Sequence, residues 1–354
     1  MTVLFQNGRV FDGEKFFTAD VFVNNGIVEK IEKTISTSAD FVYDASGKTV
    51  SAGLVDAHVH IRGVSSVDFA TPAELATIPF GVTCAADAWA SSGCSEQLDR
   101  LAVKTTVFAG VRVESGRAVF DLTEKLLADY RDKVAGIKLA FDISNPEIFD
   151  IRPLLEVIDF AERKALPVLV HSTGSPVPMA DIIKHLRCGD IITHAFHGGK
   201  NNSFEDGYEC LVSAKKKGIV VDAGLAGYVH TDFSVFRGAV ECGIIPDVIS
   251  SDITKLSAYK RGSVYGLTTC MSIARDVGMK EDDVFRAVTS QPAKALKKEG
   301  VWGALRVGGA ADIAVLSYSD NGYDMTDKQG NRIVSRCGYR CELTMIDGEI
   351  MYRR

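Results

Sequence analysis

From residue 53 onward, short apolar runs return every 24–31 residues, opening near Gly53, Gly81, Thr105, Gly136, Pro167, Ile191, Ile219 and Val248. A short apolar run bounded by turn residues reads as a strand buried on both faces, and this rhythm leaves room for one helix after each strand. Two of the intervening stretches, 123–133 and 151–165, carry apolar residues at spacings of three and four, as helices lying on a sheet do. An open doubly wound sheet usually has about five or six strands, so eight even units predict an α/β fold of the (β/α)8 TIM barrel type. Its span is residues 51–304.

Both ends of the chain have a different pattern. Residues 21–31 form two β-rich runs around Asn25-Gly26, and residues 311–316 and 343–352 supply strands with a turn at Asp347-Gly348. These dipeptides tolerate the positive φ that a tight hairpin needs. Segments 1–50 and 305–354 are each too short to fold alone, so they are expected to pair as one small β-sandwich built from both termini. With 354 residues and 46% hydrophobic side chains, there is material for one large core and one small one.

Charge and cysteine content exclude several functions. The net charge of −6 is interspersed along the chain, so no surface for nucleic acid is expected. No apolar run reaches the ~20 residues of a membrane span and the first residues lack a basic, then apolar, leader, which predicts a cytoplasmic protein with no membrane partner. The eight cysteines are scattered and read as reduced thiols.

Ionisable residues cluster where the apolar runs end, which in a barrel is the face that carries active sites. Run one ends Val55-Asp56-Ala57-His58-Val59-His60-Ile61-Arg62, run four Gly136-Ile137-Lys138, run five Val168-Leu169-Val170-His171, run six Ile191-Ile192-Thr193-His194, and run eight Ser250-Ser251-Asp252. A lone histidine is usually an ordinary buried residue. Four at the ends of runs one, five and six, with a lysine and a carboxylate, match the donor types that hold zinc, manganese or iron and leave a position for water.

These pieces, in this order, resemble the amidohydrolase superfamily, and Gly308-Gly309-Ala310-Ala311-Asp312-Ile313-Ala314 is similar to that family's closing β segment. The resemblance implies two divalent metal ions, zinc first, bridged by a carbamate formed when carbon dioxide adds to Lys138. It places His58, His60, Lys138 and Asp252 on one ion, and Lys138, His171 and His194 on the other. An unmodified Lys138 paired with Asp252 in a one-metal site is the alternative, and Cys84 at the end of run two, a metal bridge in some relatives, is expected with Lys138 present to be a plain core thiol. By the same resemblance, metal-activated hydroxide attacks an acyl carbon and Asp252 shuttles the proton to the leaving group.

The substrate class is read from fewer residues. Arg62 extends the Asp56-x-His58-x-His60 alternation as in dihydroorotases, where the arginine binds a carboxylate, but Gly63-Val64-Ser65 departs from the residues that usually follow. Gly189-Asp190-Ile191-Ile192-Thr193-His194-Ala195-Phe196-His197 and Gly243-Ile244-Ile245-Pro246-Asp247-Val248 resemble a dihydroorotase-like branch with deacetylase members, although Leu225 and Thr254 stand where relatives often have histidine. His197, Tyr228 and His230 are candidate substrate contacts, whereas His185 reads as a helix-surface residue. The leading expectation is hydrolysis of an amide or ester of a small, carboxylate-bearing molecule. Alternatives are a cyclic-amide hydrolase of dihydroorotase or hydantoinase type, a nucleobase deaminase, and a metal-binding subunit without catalysis. A homo-oligomer is compatible with all of them.

Overall fold

The computed structural model describes residues 1–65, 68–90, 93–259, 265–320 and 322–354. Seven parallel strands, Leu54–Val59, Val82–Ala90, Lys104–Gly110, Val134–Ala140, Val168–His171, Ile191–Thr193 and Val220–Val221, lie side by side in chain order. Each begins within two residues of an expected run. The eighth run is too irregular for a full strand, yet it joins the two sheet edges. Val248 bridges Asp222 on one side and Ile253 bridges Val59 on the other. The Asp252 amide donates to the His58 carbonyl at 2.7 Å and the Ala223 amide to the Val248 carbonyl at 3.0 Å. The sheet therefore closes as a barrel.

Helices alternate with the strands on the outside. Arg152–Arg163 shows why: Leu154, Val157, Ile158, Phe160 and Ala161 are buried at helical spacing, and a proline sits in the first turn, where its missing N–H costs nothing. Each large side chain buried in this way contributes about 1.5–3 kcal/mol. Stretch 123–133 becomes a helix at Asp121–Tyr130 and a short 3-10 turn at Arg131–Lys133. Inside the barrel, Val55, Cys84, Phe108, Leu169, Ile191 and Val248 share a core with Leu296 and Trp302. Cys84 is wholly buried there, in apolar company that pushes its thiol up. It packs as a plain core thiol.

The two chain ends meet in one eight-stranded sheet. Its central strand Thr49–Ala52 runs parallel to Thr2–Phe11 and antiparallel to Ile313–Ser319. Val3, Phe5, Val21, Val50, Ile313, Leu343 and Met345 fill the core that this sheet encloses. Both expected hairpin turns form, with positive φ at Asn25, Gly26, Asp347 and Gly348. The turns touch, since a Cβ on Gly348 would lie 2.4 Å from the Gly26 Cα. A hairpin that the sequence reading does not foresee, Tyr323–Thr326 with Arg332–Ser335, leans on the barrel. There Asp327 accepts from the Phe233 amide at 2.8 Å and Gln329 donates to the Gly198 carbonyl at 2.8 Å. Among the described residues, no helix is long and apolar enough to cross a membrane.

Candidate metal centre

All six expected ligands converge at the C-terminal mouth of the barrel. The Asp252 carboxylate lies at the centre, 3.3 Å from His58 Nε2, 3.1 Å from His60 Nε2 and 3.7 Å from His194 Nε2. Two of these residues turn out of their apolar runs through positive φ, +61° at His194 and +45° at Asp252. For a residue with a Cβ this conformation costs about 1–2 kcal/mol, and here it turns each side chain into the mouth. His194 is then fixed by its Nδ1, which donates to the Gly224 carbonyl at 2.6 Å. Only glycine allows that approach, because a Cβ on residue 224 would sit 2.4 Å from Thr193 Oγ1 and 2.6 Å from His194 Nδ1.

The remaining hydrogen bonds determine where the lone pairs point. Thr193 Oγ1 donates its one proton to Asp222 at 2.6 Å, so it can only accept from His58 Nδ1 at 3.2 Å. His58 Nε2 is thereby a lone pair facing Asp252, and His194 Nε2 is another by the same logic. Burial, then the nearby Lys138, lowers His58 to about 4, so it stays neutral. Burial alone would raise Asp252, but the His58 ring, once protonated at low pH, and a hydrogen bond from His60 Nε2 hold its carboxyl below the usual carboxylate range. Neutral imidazole lone pairs thus face an anion at 3.3–3.7 Å, an arrangement that a cation between them would stabilise.

Unpaired atoms point the same way. Lys138 Nζ, His171 Nε2, His194 Nε2 and Asp252 Oδ1 are buried and lack hydrogen-bond partners. Each such atom costs about 1–3 kcal/mol unless something satisfies it. Lys138 is 3% exposed, and burial lowers its ammonium to about 8. His58, His194 and Asp252 form one group whose donor atoms lie within 4.8 Å of each other, and His171, His194 and His230 form a second. The donor set fits two divalent ions.

A cavity of about 670 Å3 opens above these residues, with Trp89, Arg112, Asp142, Asn145 and Leu256 among its walls. His230 lines it too. Arg62 does not, being exposed on the loop where its amide bonds the Thr71 carbonyl at 2.8 Å. His197 is 1% exposed and also lies off the cavity wall. Tyr228 falls in the turn Ala226–Tyr228, and its side chain lies outside the described ones. Sequence reasoning missed Asp222, although it ends run seven just as His171 and His194 end theirs. Arg112 gave no signal, because it belongs to a hairpin inserted after the third strand, where it pairs with Glu114 at 2.7 Å and Asp121 at 2.9 Å.

The chain is similar to known proteins over nearly its whole length. A profile of the amidohydrolase family matches residues 49–351. The chain is similar to a deacetylase of Enterococcus faecalis, 27% identical over 371 residues that cover 98% of each protein. Among solved structures it is similar to an adenine deaminase, with a TM-score of 0.88 at 24% identity, and to a dihydroorotase, with a TM-score of 0.87 at 22% identity. Each structure covers 99% of both chains.

Proposed function

The chain belongs to the amidohydrolase family, an enzyme acting on C–N bonds, and we propose that it removes a small acyl group, deacetylase-fashion, from an amide or ester that carries a carboxylate. The observation that carries this reading is the set of unpartnered donors around Asp252 in a barrel whose near-full-length relative is a deacetylase. His58, His60, Asp252 and a Lys138 carbamate would hold one ion, and His171, His194 and the same carbamate the second. Lys138 suits that modification, since carbon dioxide adds to a neutral amine with loss of one proton, and burial eases the removal of that proton. Two divalent ions, when bound, would polarise the substrate carbonyl and bring a shared water to a near-neutral pKa.

The protein's own groups do the rest. Asp252 is ionised, so its carboxylate can take the proton of the attacking water as the C–O bond forms. It then returns that proton to the leaving nitrogen or oxygen as the acyl bond breaks. Thr193 and Asp222 keep the His58 ring oriented throughout. For a substrate carboxylate, Arg112 stands on the cavity wall where Arg62 does not, and its guanidinium would exchange Glu114 or Asp121 for that group. A screen of N-acetyl amino acids, O-acetyl hydroxy acids, dihydroorotate and hydantoins tests the reading. Release of acetate from one of the first two classes is expected. Opening of cyclic amides alone would contradict it.

A further inference from the structure

His230 stands apart from the six residues that converge on the mouth, yet it touches two of them. Its ring centroid is 4.4 Å from that of His194 and 4.9 Å from that of His171. One nitrogen from each of the three rings lies within 4.8 Å of the others. His230 Nδ1 is buried with no hydrogen-bond partner, and so are the Nε2 atoms of His171 and His194. Three imidazoles packed this way gather buried ring nitrogens that have no hydrogen-bond partner. A wall that contacts substrate does not require that gathering, whereas a cation does.

The backbone explains how the ring arrives. The chain leaves the seventh strand through Gly224, Ala226 and Gly227, all at positive φ, and so folds back over the mouth. Gly227 seats this loop against Ser257, whose Cβ a side chain at 227 would meet at 2.6 Å. We infer that His230 is a third imidazole ligand of the ion held by His171 and His194. This inference rests on the metallohydrolase reading and adds to it, since that reading gives this ion two imidazoles only. A nitrogen-rich, more filled coordination sphere would favour zinc or cobalt over manganese at this position.

The test uses the full chain loaded with cobalt(II). In competition with a chelator, His230→Gln should weaken one of two bound ions by about tenfold or more while the other keeps its affinity. His230→Cys should add a thiolate-to-cobalt charge-transfer band in the near ultraviolet that the parent protein lacks. Wild-type affinity for both ions in His230→Gln, with no new band in His230→Cys, would overturn the inference and leave the metallohydrolase reading intact. A parent protein that binds no cobalt would overturn both. Should the variants fail to fold, proton–cadmium correlation in the 113Cd-loaded parent decides, with five coupled imidazoles supporting the inference and four refuting it.

Discussion

Thr193 has a single hydroxyl proton, and because Asp222 takes it, His58 can present only a lone pair to the mouth. Such supporting groups tune metal affinity without touching the metal. Thr193→Val keeps the shape and removes the acceptor, so metal affinity is expected to fall about 10–100-fold, measurable by chelator competition. Unchanged affinity would show that the ring is held by packing alone. Asp252 carries a different burden at the same scale. Asp252→Asn should keep the ring positions but lose the proton acceptor, lowering kcat by about 10²–10⁴-fold; turnover near the native rate would remove Asp252 from proton transfer.

At the scale of elements, the loop that follows the seventh strand does as much as any ligand. Gly224→Ala would drive a Cβ into Thr193 and His194 in a left-handed conformation, at a cost of about 1–2 kcal/mol from the backbone alone. A lower Tm together with reduced metal content is expected, and a variant that lost stability but kept full metal affinity would show that the loop does not position His194. The barrel strands were readable in the sequence because burial on both faces makes them continuous apolar runs, as at Val168-Leu169-Val170. The candidate ligands were readable because each sits where such a run stops. Elements without that signature were not. The hairpin at 323–335 alternates weakly and gains its place from contacts with Phe233 and Gly198 far away in sequence. Arg62 continued the histidine alternation on paper, but the strand ends at Val59 and the chain turns outward before reaching it.

Across the whole molecule, a barrel sealed below by Leu296 and Trp302 and opened above keeps its imidazoles out of bulk water, and this has a pH signature. Burial holds His58 and His197 at about 4, and His171 and His194 well below the usual value. Unfolded imidazoles take protons near ~6.5, so between that pH and about 4 the unfolded chain binds more protons and stability falls as pH falls. Asp56 and Asp87, raised by burial to about 7 and about 6, act in the opposite sense. Four imidazoles outweigh two carboxyls. The metal-free protein should therefore have a lower Tm at pH 4.5 than at pH 7 by thermal melts, and a Tm that rose on acidification would show the carboxyls in control.

One measurement bears most directly on the binuclear centre: elemental analysis of metal per chain in the purified protein and in Lys138→Ala. Two ions per chain in the parent and loss of both in the variant are the predicted result. A firm count of one in the parent, or a variant that kept its full complement, would contradict the bridged centre from which the proposed chemistry follows.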